Sequence, residues 1–243
     1  MLLRIEDIDL ARCRPEWEAQ IYDDLRWLGL KWPKPVMRQS DRLFVYSQAL
    51  ERLAALDVLY PCRRTRGDLR AALSAPQEGA MGPDGPIYPG LCRGRRMEEA
   101  GPGDAIRIDM SKAVGVAGPL RWVETGDGQP KVQTVDEARL SNHVGDVIIA
   151  RRDIGSSYHL AVTVDDAAQR VTEVVRGEDL RDATPVHVLL QVLLGLPTPA
   201  YHHHRLIRDE HEKRLAKRDD ARAIALYRAE GATPLDIRRM VGL

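Results

Sequence analysis

Between residues 145 and 195 the apolar positions fall into short blocks bounded by Gly, Asp and Arg. Residues 147–150, 158–164 and 171–175 form three such runs, and 184–194 is an apolar stretch long enough for a helix. Runs this short and rich in Val and Ile predict buried strands. Polar groups crowd their ends: Arg151, Arg152 and Asp153 after the first, Asp165 and Asp166 after the second, Arg176, Gly177, Glu178 and Asp179 after the third. In an open parallel sheet, ligands sit beyond the carboxyl ends of the strands, so these clusters mark the expected site. Charges at strand ends are commonly solvated turn residues as well, and spacing alone leaves both readings open.

On either side the pattern changes. Residues 2–5 read as a strand. Pro15 suits a first helical position, and Trp17, Ile21, Leu25 and Leu28 then recur at helical spacing until Gly29 stops the helix. Ser40 is the expected N-cap of a second helix whose apolar side is Leu43, Val45, Leu50, Leu53 and Leu56. A Pro- and Gly-containing region follows to about residue 120. Residues 105–150 look mostly antiparallel, with a Gly-rich turn inside RWVETGDGQPKVQTV and GDVIIARRD returning the chain to the central sheet. The end of the chain predicts short helices in ARAIALYRAEG, closed by Gly231, and from Pro234 to Met240.

Composition narrows the class of protein. The 243 residues are 44% hydrophobic and 30% charged, with 36 Lys and Arg against 36 Asp and Glu. That balance gives no global attraction to nucleic acid, so RNA contact would rest on local patches such as CRRTRGDLR and RGRR. No apolar run reaches the roughly 18 residues of a membrane span, and the start lacks a signal-peptide pattern. A cytoplasmic protein without membrane contact is expected. Cys13, Cys62 and Cys92 are too few and scattered for a disulfide framework. Three adjacent histidines, His202 to His204, invite a metal reading, but consecutive residues point in different directions and seldom form a ligand set.

Several segments carry a specific likeness. LLRIEDIDLAR with WLGL after a helix, RQS, SSYHLAVTVDD, VVRGEDLRDATPVHVLLQ and RLAKRD together resemble the class I glutamyl-tRNA synthetase family, including its short members that glutamylate queuosine in tRNA(Asp). The resemblance implies an α/β, Rossmann-like class I catalytic core with an inserted acceptor-binding-type lobe. The implied division is a first half of the core at 1–60, the lobe at 61–144, the second half at 145–200, and a KMSKS-like loop with C-terminal helices at 201–243.

It also implies roles. Glu6 would hold the ammonium of the bound amino acid, Tyr158 would hydrogen-bond that amino acid, and Arg176 would pair with its side-chain carboxylate through a planar fork. Lys217 would be the catalytic lysine that neutralises ATP phosphates, with Arg214 and Ala216 departing from the usual Lys and Ser of that loop. Cys62, Tyr88 and Cys92 would form a zinc site, degenerate because Arg64 stands where the family has a second cysteine, and arginine cannot be a ligand. Taken without the resemblance, Glu6 is a cap or ion-pair residue, Tyr158 a half-buried sheet tyrosine, and Arg176 an ion-pair partner offset by Glu178 and Asp179.

The implied activity is a ligase reaction. ATP with Mg2+ activates L-glutamate, which is then transferred to queuosine at the wobble position of tRNA(Asp), and a monomer is expected. The family's HIGH-type signature would precede residue 2, so Met1 is expected to be an internal methionine of a longer reading frame. No helical anticodon-reading part is expected after the core, which favours the short members. Alternatives are a catalytic fragment of a glutamyl-tRNA synthetase, or a non-catalytic fragment that only binds substrate or tRNA.

Overall fold

The computed structural model describes residues 1–65, 67–68, 81–83, 85–126, 128–208 and 223–243. Along the chain the elements are β1 (Arg4–Ile5), α1 (Pro15–Trp27), β2 (Met37–Arg38), α2 (Leu43–Ala55), β3 (Leu59–Cys62), β4 (Met81–Gly82), β5 (Gly85–Pro86), β6 (Ala105–Ile108) and α3 (Met110–Ala117). They continue with β7 (Leu120–Glu124), β8 (Lys131–Val135), α4 (Glu137–His143), β9 (Ile148–Ala150), α5 (Tyr158–Ala168), β10 (Glu173–Gly177), α6 (Thr184–Leu194), β11 (Ala200–His204), α7 (Ile224–Ala229) and α8 (Pro234–Val241). The chain forms two compact units, Met1–Asp41 with Arg205–Leu243, and Arg42–His204.

In the first unit β1 and β2 pair in parallel, and one buried carboxylate fixes the chain around them. Asp7 accepts hydrogen bonds from the Ser40 backbone at 2.9 Å, the Ser40 hydroxyl at 2.8 Å and Arg38 Nη2 at 2.8 Å. Burial works to raise its pKa, but the Ser40 and Arg38 donors outweigh it and hold the carboxyl below its ordinary value. Arg38 also reaches Glu18 of α1 at 2.6 Å, so the helix is tied to the strand pair by a bridging guanidinium. Pro15 opens α1, and Gly29, at φ +79°, follows its end as expected. Ser40 caps no helix. Its groups are engaged by Asp7, and α2 starts at Leu43 without a side-chain cap.

The second unit holds two sheets. One runs β10-β11-β7-β8, parallel across β10, β11 and β7 and antiparallel at the β7–β8 hairpin. The other is the antiparallel set β3-β6-β9. Helix α6 is the core element: nine of its residues, including Val186, Val188, Leu189, Leu190 and Leu194, are buried, and α2, α3, α5 and β7 pack against it. A helix apolar on nearly every side has to be enclosed in this way.

Four expectations fail here. Residues 158–164 form the first turns of α5, not a strand. The Ser157 hydroxyl accepts the Leu160 N–H and caps the helix, and a short run buried on all sides looks the same in either state. Asp165, expected at a strand end, sits inside α5 fully buried, where it accepts from Arg42 Nε at 2.7 Å and the Tyr46 hydroxyl at 2.8 Å. Residues 148–150 pair antiparallel with β6 and do not join the sheet of β10. Helices α3 and α4 also interrupt the passage that looked antiparallel, each capped by an aspartate, Asp109 and Asp136.

Asp146 joins the antiparallel sheet to its surroundings. Its carboxylate accepts from the Tyr60 hydroxyl at 2.5 Å, Arg93 Nε at 2.6 Å and Nη2 at 2.8 Å, and the Met110 N–H at 3.0 Å. Replacing it with alanine strands a buried hydroxyl and a buried N–H together with an arginine. Asp146→Ala is expected to cost about 3 kcal/mol in chemical denaturation.

Candidate functional site

Strands β10 and β11 run in parallel register with Arg176 opposite His203. Residues paired in this way present their side chains to the same face of the sheet. Thr184 and His187 lie one turn apart at the start of α6, and i, i+3 spacing puts them on one side of that helix. Tyr158 and His159 open α5.

These elements converge on the Arg176 guanidinium. Its Nε donates to His203 Nε2 at 3.1 Å, Nη1 to His187 Nδ1 at 3.1 Å and Nη2 to Thr184 Oγ1 at 2.7 Å, while the group lies over the Tyr201 ring at 5.2 Å. His187 continues to His159 at 3.0 Å. Tyr158, 38% exposed, sets its ring edge-on to both of those histidines, at 5.7 and 5.8 Å. On the other side, His203 Nδ1 meets Glu124 Oε2 at 2.6 Å, and Glu124 Oε1 accepts the backbone N–H groups of His203 and Gly126, both at 3.0 Å.

Burial depresses the pKa of His187 well below 6.5, and the neighbouring His159, Arg176 and His203 act in the same direction. Burial also lowers His203, against the opposing pull of Glu124, with Arg176 and Arg181 adding to the decrease. Burial would raise Glu124, yet the N–H donors of His203 and Gly126 hold it below its ordinary value. Both imidazoles are therefore neutral and Glu124 is a carboxylate at neutral pH. Burial pushes the Tyr201 phenol up to about 12.

A second cluster gathers Cys62, Tyr88 and Cys92, all buried. The Tyr88 hydroxyl accepts from Cys62 Sγ at 3.4 Å and from the Cys92 N–H at 2.9 Å, and Arg107 lies 3.9 Å over the Tyr88 ring. Burial acts to raise the Cys92 thiol, but bonds with Tyr88 and Cys62 and the backbone N–H groups of Arg63 and Arg64 bring it below its ordinary value. Among the described residues no histidine, aspartate or glutamate joins the two thiols. Arg64 offers Cys92 a backbone donor, where a ligand would be needed. Two thiols and a phenol already bonded to one another, beside an arginine, do not fit the closed four-donor set of a structural zinc site.

Residues 1–243 match the family model described as tRNA synthetases class I (E and Q), catalytic domain. The chain belongs to this family. A protein named glutamyl-Q tRNA(Asp) synthetase from Rhodobacter capsulatus is 56% identical, over 100% of this chain and 87% of that protein. Proteins of the same name from Symbiobacterium thermophilum and Nocardia farcinica are 40% and 41% identical, each over 96% of this chain and 72% and 70% of their own length.

The class I synthetase fold is also that of two solved structures. One is a glutamate tRNA ligase from Elizabethkingia meningosepticum in complex with its amino acid, at TM-score 0.72, and the other a glutamate-tRNA synthetase from Elizabethkingia anophelis, at 0.74. Both are 24% identical, and this chain covers 53% and 54% of their lengths, about half of each.

Of the residues expected to act in this class I core, Tyr158 and Arg176 come together around His187. Arg176 makes no ion pair with Glu178 or Asp179; its described partners are imidazoles, a hydroxyl and a ring. Glu6 lies in the other unit, where Arg4 Nη2 donates to it at 3.1 Å. Lys217, Arg214 and Ala216 lie outside the described residues. Glu124, Thr184 and His187 escaped the sequence reading, and His203 was noted there only within the His202 to His204 run. The available signal was the YHHH run, whose alternation sends His202 to Thr125 and His203 to Glu124.

Three measurements check this geometry. A Cβ on Gly126 would overlap the His203 backbone, so Gly126→Ala should cost about 2 kcal/mol and loosen the Glu124 contact, read by thermal denaturation. With His187 and His203 depressed in the folded state, stability is complete above pH 6.5 and falls below it, as the unfolded chain takes up protons that the folded one refuses. Denaturation midpoints measured from pH 7.5 to 5.5 should therefore decline, and His187→Phe should flatten the slope. Metal analysis of chain purified without chelator should find well under one zinc per molecule.

Proposed function

We propose that this chain is a ligase that activates L-glutamate with ATP, accompanied by Mg2+, and transfers the glutamyl group to a hydroxyl of queuosine in tRNA(Asp). A glutamate α-carboxylate oxygen attacks the α-phosphorus of ATP and pyrophosphate leaves. The queuosine hydroxyl then attacks the acyl carbon, and AMP departs. Such chemistry needs positioning and charge neutralisation, with no covalent enzyme intermediate.

The observation that carries this reading is the Arg176 guanidinium, held by neutral groups and paired with no carboxylate among the described residues. It takes the glutamate side chain through two parallel N–H···O bonds. Tyr158 contacts the same amino acid, Glu6 takes its ammonium, and Lys217 neutralises the phosphates. The tRNA substrate is supported by the relatives named glutamyl-Q tRNA(Asp) synthetase, at 40 to 56% identity.

A second reading, the catalytic part of a glutamyl-tRNA synthetase, is favoured by the likeness to solved glutamate tRNA ligases, of which the chain spans about half. One experiment separates the two: transfer of radiolabelled glutamate, with ATP, to tRNA with and without queuosine. Label only on queuosine-containing tRNA(Asp) supports the first reading. Label on unmodified tRNA supports the second, and none on either defeats both. In glutamate-dependent pyrophosphate exchange, Arg176→Lys should lower the efficiency with glutamate by about a hundredfold, because an ammonium cannot reproduce the fork.

A further inference from the structure

Arginine can donate hydrogen bonds but has no acceptor atom, so each partner of Arg176 must offer a lone pair. That requirement sets two tautomers. His203 receives Arg176 on Nε2, so its proton is on Nδ1 and points at the Glu124 carboxylate, 2.6 Å away. His187 receives Arg176 on Nδ1, so its proton is on Nε2 and points at His159 Nδ1, 3.0 Å away. Every bond in the chain from Glu124 to His159 therefore runs outward from Arg176.

Glu124 anchors one end as an acceptor-only group, since both of its oxygens face N–H donors. A carboxamide there would turn its NH2 against at least one of them. The cation thus has a counter-charge in Glu124, but one imidazole away. Three of the five guanidinium N–H groups are used, one each on Nε, Nη1 and Nη2. One N–H remains on each Nη, enough for the guanidinium to offer two further donors to a carboxylate.

We propose that Glu124, His203 and His187 are positioning residues that hold Arg176 in one orientation and leave one N–H on each Nη uncommitted, so that the site selects a carboxylate over a carboxamide side chain. The proposal rests on the reading that Arg176 meets the substrate side chain. Glutamate supplies two acceptors to the pair. Glutamine supplies one, and sets an NH2 against the other donor. If the imidazole partners were lost, the guanidinium could rotate or pair internally, and that distinction would weaken.

The test uses the full chain. Long-range proton–nitrogen correlation on histidine-labelled protein at pH 7 should find His203 protonated on Nδ1 and His187 on Nε2, both neutral. Either ring in the opposite tautomer, or His203 as a cation, overturns the chain. Calorimetric titration with L-glutamate and L-glutamine then reads its consequence. Glu124→Gln and His187→Phe should each weaken glutamate binding by about ten- to a hundredfold, the range for a hydrogen bond to a charged group, with glutamine little changed. His187→Gln, which keeps an acceptor and a donor, should restore most of the preference.

A purely structural role would lower the melting temperature and leave the glutamate-to-glutamine ratio intact, and that result overturns the proposal. Glu124→Gln alters a single side-chain atom and serves where His187→Phe fails to fold. If the unmodified chain shows no preference between the two amino acids, the reading of Arg176 as a glutamate ligand fails and the proposal falls with it. If the preference is present and both variants retain it, the positioning proposal alone fails.

Discussion

Arg176 can only donate hydrogen bonds, and that one-way character orders the buried groups around it. It needs lone pairs, which His187 and His203 provide only while neutral. Their burial supplies that condition, since desolvation disfavours the imidazolium. The proton displaced to His203 Nδ1 in turn needs an acceptor, and Glu124 is held as a carboxylate by backbone N–H groups that reach it because Gly126 has no side chain in the way. A glycine beyond the end of β7 thus bears on the orientation of a guanidinium on β10.

The same logic of multiply donated carboxylates recurs away from the site. Asp7, Asp146 and Asp165 each accept from at least two groups that lie far from the carboxylate along the chain. A buried carboxylate with one partner would be costly; with several it fixes elements at defined spacings. Asp165 joins α5 to Tyr46 and Arg42 at the start of α2, and Asp146 joins β3 to α3. These bonds add direction to the apolar packing around α6, which excludes water without specifying orientation.

Much of this was legible in the chain. The α6 stretch, the Pro15 and Gly29 boundaries of α1 and the β7–β8 hairpin follow from burial, turn chemistry and alternation. The helix at Tyr158–Ala168 was not, because a run enclosed on all sides has neither the 3.6 nor the 2.0 period, and the Ser157 cap was the only local cue. Tyr158 and Arg176 stood out through family wording. Glu124, His187 and His203 did not, since their roles depend on pairings 79 residues apart for Glu124 and His203, and 11 for Arg176 and His187. A lone histidine in an apolar helix gives no sign of which cation it will face.

The Cys62, Tyr88 and Cys92 cluster is held by bonds among its own members. Cys62 closes β3, and Tyr88 and Cys92 are i, i+4 neighbours in the loop that leads toward β6. With arginine at position 64, the backbone N–H groups of Arg63 and Arg64 converge on the Cys92 sulfur and the Tyr88 hydroxyl takes bonds from both cysteines. Donors aimed at sulfur favour the thiolate, much as a metal ion would. The guanidinium over the Tyr88 ring adds a cation–π contact to the same cluster. The β3–loop junction is thus held by hydrogen bonds from the Cys62 thiol and the Cys92 backbone N–H to one phenol.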